Sequence, residues 1–385
     1  MGVDTFQYGD DIVGYIKLES TFGEAVKPAA TNAFRVLDMA MGQPRELPEA
    51  LDRRKTRSVM ETVNGRVPMQ PWSCTCLFRP SGVLGVAPDI SDLLKLAFGT
   101  ESVVASTSVT YSLLKDMSGL FASIYRDLSS AQEGVYSAVC NNVTISWSGE
   151  DWITLAFSGV GKDFIEASKS EASGAGSGIT ALVVDDADFF TKYAIIQNNT
   201  TSDDNSGAGY QITAIDYDTE TLTLGSAASW SNNDEWASFL PTGTFTGSPI
   251  YGTDGQLSLD ADATTVKHLG GSVTIATGVN LLNREYGDES SSDVVNESRR
   301  SVTGTLNFLV NEDDMNKSSW ARRKVAQSLR ITLGDTAASR IKINCTNTEL
   351  DPGQRGTPDT GVIELSLGFK ALGTSGEDEI AMVLD

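Results

Sequence analysis

Histidine is almost missing from this chain of 385 residues, with His268 the only one. A Ser-His-Asp or Cys-His arrangement would have to run through it, and its surroundings, Val266-Lys-His-Leu-Gly-Gly271, hold no nucleophile. Cysteine is scarce as well. Cys74 and Cys76 stand two apart, on one face of a strand where they cannot readily bridge each other. Cys140 and Cys345 stand alone in apolar surroundings, so all four read as reduced, buried thiols. With one histidine and no Cys-x-x-Cys, there is no recognisable zinc set. No apolar run approaches the roughly eighteen residues of a membrane span. A basic-then-apolar signal peptide is missing too, so neither a membrane protein nor a secreted one is expected.

Positive charge is also short. The chain has 29 Lys and Arg against 51 Asp and Glu, a net charge of −22. Between Glu171 and Thr265, fourteen acids face Lys192 alone. So acidic a surface repels phosphate and excludes a sequence-reading nucleic-acid binder. It leaves open a protein that surrounds nucleic acid without holding it.

Motifs that carry chemistry fail in detail. Gly159-Val-Gly-Lys162 has Ala156 where a phosphate-cradling loop needs its first glycine, and Asp163 where it needs Ser or Thr. Asp216, Asp218 and Glu220 have calcium-loop spacing, but Thr221 and Ala227 replace the required glycine and glutamate. Weak calcium binding at Asp203-Asp204 is the remaining metal option. The numerous carboxylates identify no glycosidase pair. No catalytic, cofactor-binding or metal residue is assigned, no cofactor is expected, and the protein is not expected to be an enzyme.

What the sequence does contain is strand pattern. Val13–Glu19, Trp72–Arg79, Ser108–Leu113, Phe121–Arg126, Tyr136–Trp147 and Trp152–Ser158 are β-branched and aromatic runs broken by Gly, Asn and Asp. One helix is signalled between Asp89, as cap, and Gly99, with Ile90, Leu93, Leu94 and Ala97 as its apolar stripe. Strand, short helix and strands then recur at Ser301–Val310, Glu312–Gln327 (capped by Asn311) and Leu329–Leu333, followed by strands to Leu384. This suggests a duplicated β unit. A long loop or extended hairpin is expected at Pro28–Arg57, with its basic run Arg53–Arg57 as a subunit contact, and a long polar loop at Gly287–Arg300. Ser173–Gly178 reads as a flexible boundary. Five short strands beyond it suffice for a small, acidic β-barrel. The expected fold is therefore mainly β: a unit over 1–170, an inserted barrel over 175–245 and a second unit over 250–385.

The chain resembles the major tail tube proteins of long-tailed bacteriophages. The resemblance rests on Pro71-Trp72 through Phe78-Arg-Pro-Ser-Gly82 with Ala87–Gly99, on Ser108-Val-Thr-Tyr111 and Gly270-Gly-Ser-Val-Thr-Ile275, on Asn283–Gly287 with Arg300–Gly304, and on Thr332-Leu-Gly334. It covers residues 1–165 and 265–385. It implies subunits joined edge to edge into stacked rings, with an inner β-barrel wall whose acidic lumen passes DNA without specific binding. About twenty-four strands tilted about 40° would make that barrel roughly 45–50 Å across. Three chains per ring with pseudo-sixfold symmetry follow if both units are tube domains, and six chains if only one is. The resemblance further implies a place in the virion tail, assembly in the bacterial cytoplasm, and contacts with tape measure, tail terminator and, in a contractile tail, a sheath. The polar arm Met1–Asp10 and the two long loops would join successive rings.

Two rival readings remain. One is a capsid decoration or baseplate protein. The other is a carbohydrate-binding adhesin whose insert presents Trp230, Trp236 and Tyr251 as an aromatic platform.

Overall fold

The computed structural model describes residues 12–44, 65–259, 264–266, 268–309, 319, 321–351, 354–355 and 364–385. Met1–Asp10 and Arg53–Arg57 lie outside them. The first unit contains β1 (Val13–Leu18), β2 (Ala33–Arg35), β3 (Asp38–Met41), β4 (Gln70–Leu77), α1 (Ser91–Phe98) and β5 (Gly99–Val104), followed by β6 (Ser108–Leu113), β7 (Ala122–Asp127), β8 (Gln132–Ser148), β9 (Thr154–Gly161) and β10 (Asp163–Ala167). Antiparallel pairing runs β2, β1, β7, β8, β9, β4, β3. Because β2 and β3 are consecutive pieces of one stretch, this succession returns to its start and closes a small barrel. The 17-residue β8 turns the corner between its two layers. Its first portion pairs with β7 and its second with β9. Between them Ser137 takes a left-handed φ of +48° and a bulge follows at Cys140–Asn142.

Helix α1 buries Leu93, Leu94, Leu96, Ala97 and Phe98, more than the one stripe expected, because it sits inside the core between β8, β1 and the β5–β6 hairpin. Gly99 ends it at φ +115°. Asp89 does not cap it. Its carboxylate instead accepts from the amide and hydroxyl of Thr246, two donors brought alongside by the returning chain. The helix start has no side-chain cap.

A second sheet follows: β11 (Lys169–Glu171), β12 (Gly176–Val183), β13 (Ile195–Asn198), β14 (Tyr210–Asp216), β15 (Thr221–Trp230) and β16 (Glu235–Ser238). Its order is β11, β16, β13, β14, β15, β12, and the bridge Ala172–Val184 joins the two ends, so the six strands close into a small barrel. Ser173–Gly178 is no flexible boundary. The Ser173 amide bonds to Val183, and Gly176 opens β12 against the Trp230 ring. Trp236 meets Tyr210 and Trp230 edge-on in the barrel core, at 5.6 and 5.8 Å. Tyr15, Tyr125 and Ile165 of the first unit belong to the same buried cluster. The Gln132 side chain donates to the Ile195 carbonyl and accepts from its amide. The insert is built into the first unit.

The second unit contains β17 (Gly255–Leu259), β18 (Thr264–Val266), β19 (His268–Ala276), β20 (Val279–Leu282), β21 (Asp293–Asn296) and β22 (Ser301–Leu309), then β23 (Gln327–Leu333), β24 (Ile341–Leu350), β25 (Gln354–Arg355), β26 (Glu364–Ala371) and β27 (Ala381–Leu384). Its pairings repeat those of the first unit strand for strand. The pairs β1–β2, β1–β7, β7–β8, β8–β9, β9–β4 and β4–β3 recur as β17–β18, β17–β23, β23–β24, β24–β26, β26–β22 and β22–β19. Residues 319 and 321–323 are helical after β22, as α1 is after β4. Residues 312–318 and 320 of the expected second helix lie outside the described residues, and Lys324 leaves the helix at φ +53°. The Gly287–Arg300 segment is only partly loop, since β21 pairs with β20 and buries Val294 beside Leu281 and Met117. Pairings β8–β19 and β6–β27 join the two units over one continuous core.

Candidate functional site

The two repeated units meet in a single wall. Its strand order is β3, β4, β9, β8, β19, β22, β26, and beyond β26 lies an eighth strand made of the end of β24 and β25. Alternation along each strand sends one set of side chains inward. Trp72, Cys74, Phe157, Ile145, Ile275 and Phe308 are among them, all buried. The opposite set faces away from the core.

That open face is lined by hydroxyls. Register places Asp38, Thr75, Ala156, Thr144, Thr274, Thr303 and Lys370 in one row across seven strands. A neighbouring row runs Thr154, Ser146, Ser272, Thr305 and Gly368. Thr144 and Thr274 hydroxyls lie 3.0 Å apart, and those of Ser272 and Thr305 3.1 Å apart, as cross-strand hydrogen-bonded pairs. The outward positions of β4, β9, β19, β22 and the second portion of β8 include no charged residue. Charge appears only at the margins: Asp38 on β3, and Glu364 and Lys370 on β26. Glu349 pairs opposite Lys370, and Asp351 bonds to Gly368. Sequence reading did not single out this lining. Its signal was present in Ser73-Cys-Thr-Cys76, Asn142-Val-Thr-Ile-Ser-Trp147 and Ser272-Val-Thr-Ile275, where hydroxyl and apolar residues alternate.

The chemical near-misses are strand and turn structure. Gly159-Val-Gly161 finishes β9, and the Lys162 ammonium lies 5.0 Å above the Phe22 ring. Asp216 accepts from the amides of Asp218 and Thr219 and so closes a turn, while Glu220 accepts from that of Ala187 and ties two distant segments together. Asp203 accepts from the Asn205 amide and the Tyr210 hydroxyl. Among the described residues no three His, Cys, Asp or Glu converge as metal ligands. His268 opens β19 opposite Phe308.

The four thiols are free and buried. Burial pushes Cys76, Cys140 and Cys345 up to about 12. Cys74 is raised by burial and by its neighbours Cys76 and Cys140. Neutral, enclosed thiols are poor nucleophiles. A cavity of about 940 Å³ is bordered by Arg66, Tyr136, Asp163, Lys192 and Tyr217, and among the described residues no His, Cys or Ser lines it.

The aromatic platform expected of an adhesin is not assembled. Trp236 and Trp230 fill the barrel core, and Tyr251 lies outside that barrel, edge-on to the half-exposed Trp152 at 5.0 Å. Among the described residues, no helix is long and apolar enough to cross a membrane. The chain matches no protein-family model and no curated protein.

Proposed function

We propose that this chain is a structural protein that joins copies of itself edge to edge into rings, which stack into a tube of the kind built by the phage tail tube proteins it resembles. The observation that carries this reading is the repeated wall. Each unit contributes four strands, and the intramolecular junction β8–β19 links them. By the repeat, β24 and β25 correspond to β8, and β3 corresponds to β19. The same junction is then available between the last wall strand of one copy and β3 of the next.

Strand direction supports closure. Eight alternating strands leave the two margins antiparallel when copies are related by rotation about an axis along the wall. Closing the ring also removes two exposed sheet edges, which would otherwise invite uncontrolled pairing. Three copies supply roughly twenty-four strands, a wall about 48 Å across at the backbone, wide enough for duplex DNA. Pseudo-sixfold symmetry with three chains is the arrangement favoured. The insert packs on β1, β7 and β10, away from the open face, and so projects from the tube exterior. In this reading the protein belongs to the virion tail, is made in a bacterial cytoplasm, and meets tape measure, terminator and other tail proteins. It performs no catalysis.

The lining differs from the acidic one implied by composition. Acids on the described wall strands are confined to the margins of the open face, and the net negative charge is concentrated on the insert, where eleven acids face Lys169 and Lys192.

Ala40→Cys combined with Glu349→Cys tests the junction, since the native thiols are buried. Oxidation is expected to give intermolecular disulfides ending at a covalent trimer, with threefold rings in end-on electron micrographs. Monomers that cross-link randomly, or filaments with no channel, would sink the tube reading.

A further inference from the structure

The open face says how a tube of these chains would treat its contents, an inference resting on the tube reading above. We propose that the wall carries duplex nucleic acid on uncharged hydroxyl panels, with its acidity gathered into ribs at the junctions between copies.

The panel is five strands wide, and residues such as Thr75, Thr144, Ser146, Ser272, Thr274 and Thr303 give it hydroxyls without charge. Phosphate oxygens accept hydrogen bonds and attract cations, and the described residues of this panel present no ammonium or guanidinium. Two of its hydroxyl pairs already bond internally, Thr144 with Thr274 and Ser272 with Thr305, so their donors are partly consumed. A passing duplex would meet hydroxyl acceptors and their hydration water.

The ribs form when margins meet. Asp38 comes from one copy, and Glu349, Asp351 and Glu364 come from the next, against Lys370. Repulsion from the ribs reaches about one Debye length, roughly 8 Å at physiological salt. That keeps phosphates away from the junction, where the exposed ammonium of Lys370 would otherwise attract them. The mechanism differs from a uniformly acidic pipe, which would exclude the duplex everywhere and increasingly so as salt is lowered.

Assembled tubes provide the test. A short fluorescent DNA duplex and a neutral dextran of matched radius are equilibrated with tubes at low and high salt. The ratio of the two partition coefficients is expected to change less than about twofold with salt. Tubes of the Thr144→Lys, Thr274→Lys variant should retain duplex at least tenfold more at low salt, and release it at high salt. The pair Ser146→Lys, Ser272→Lys serves if the first variant does not assemble. Strong low-salt exclusion of duplex from wild-type tubes, relieved by salt, would overturn the inference in favour of a uniformly acidic wall. Salt-sensitive retention by wild type would overturn it in favour of a binding groove. Failure to form tubes at all would remove the assembly reading and this inference together.

Discussion

Glu19 takes two hydrogen bonds from a single residue: the amide of Ser137 and its hydroxyl both donate to the carboxylate, each at 2.8 Å. Ser123 adds a third from its hydroxyl at 2.6 Å. Ser137 is the left-handed residue at which β8 leaves one layer for the other, so a buried acid fixes the corner of the first barrel. Removing the acid strands three donors in a dry site. Glu19→Ala is expected to lower stability by about 2–4 kcal/mol, read from urea unfolding of the purified protein.

The same acid predicts a pH dependence. Burial raises the Glu19 carboxyl above its ordinary value, against the opposing pull of the Ser123 and Ser137 hydrogen bonds and of Lys162. A carboxyl whose folded pKa lies above its unfolded one favours folding in its protonated form. Its contribution is therefore greatest below the unfolded value and declines as pH rises through the folded one. Wild-type stability should fall across that window relative to Glu19→Gln. Parallel pH profiles for the two proteins would refute the assignment.

Gly159 lies where β9 crosses β8, and a Cβ there would sit 1.9 Å from the Val139 carbonyl oxygen and 2.9 Å from the Trp72 indole nitrogen. Gly159→Ala should displace the strand and cost several kcal/mol, on the order of 3–5. A thermal midpoint within a degree or two of wild type would show that the wall yields more easily than its packing suggests.

The thiols offer a probe of the core. None of Cys74, Cys76, Cys140 and Cys345 should react with an aromatic disulfide reagent in the native protein, and all four should react in denaturant. Fast native labelling of any of them would mean that the core opens locally.

Gln132 holds the insert to the first barrel through both backbone groups of Ile195. Gln132→Ala should cost about 2–3 kcal/mol, and calorimetry should still show the first unit and the insert melting together. A separate low-temperature transition for the insert would contradict the shared core.

Most wall strands were legible in the sequence because one face is dry and the other wet. Trp72-Ser-Cys-Thr-Cys-Leu77 and Ser301–Val310 alternate accordingly. The short pieces β2, β3, β18 and β25 were not legible, since two to four residues carry no period. The docking of the insert was hidden for another reason. Gly14-Tyr15-Ile16 and Ala122–Tyr125 are buried without interruption, because β1 and β7 lie between the first core and the insert. Burial on both faces erases the alternation that identifies a neighbour. The repeat was visible as a succession of elements, whereas its matching pairings depend on contacts far apart in the chain. The hydroxyl lining was written plainly, but composition drew attention to net negative charge, which is concentrated on the insert.

The shared core sets the size of the piece that heredity can exchange. Replacing only residues 169–238 would leave Tyr15, Tyr125 and Ile165 facing a stranger. A recombined chain would keep its fold only if β1, β7 and β10 travelled with the insert or changed to suit it. The inserted barrel is therefore expected to change in step with the sheet beneath it, and not as a freely traded cassette.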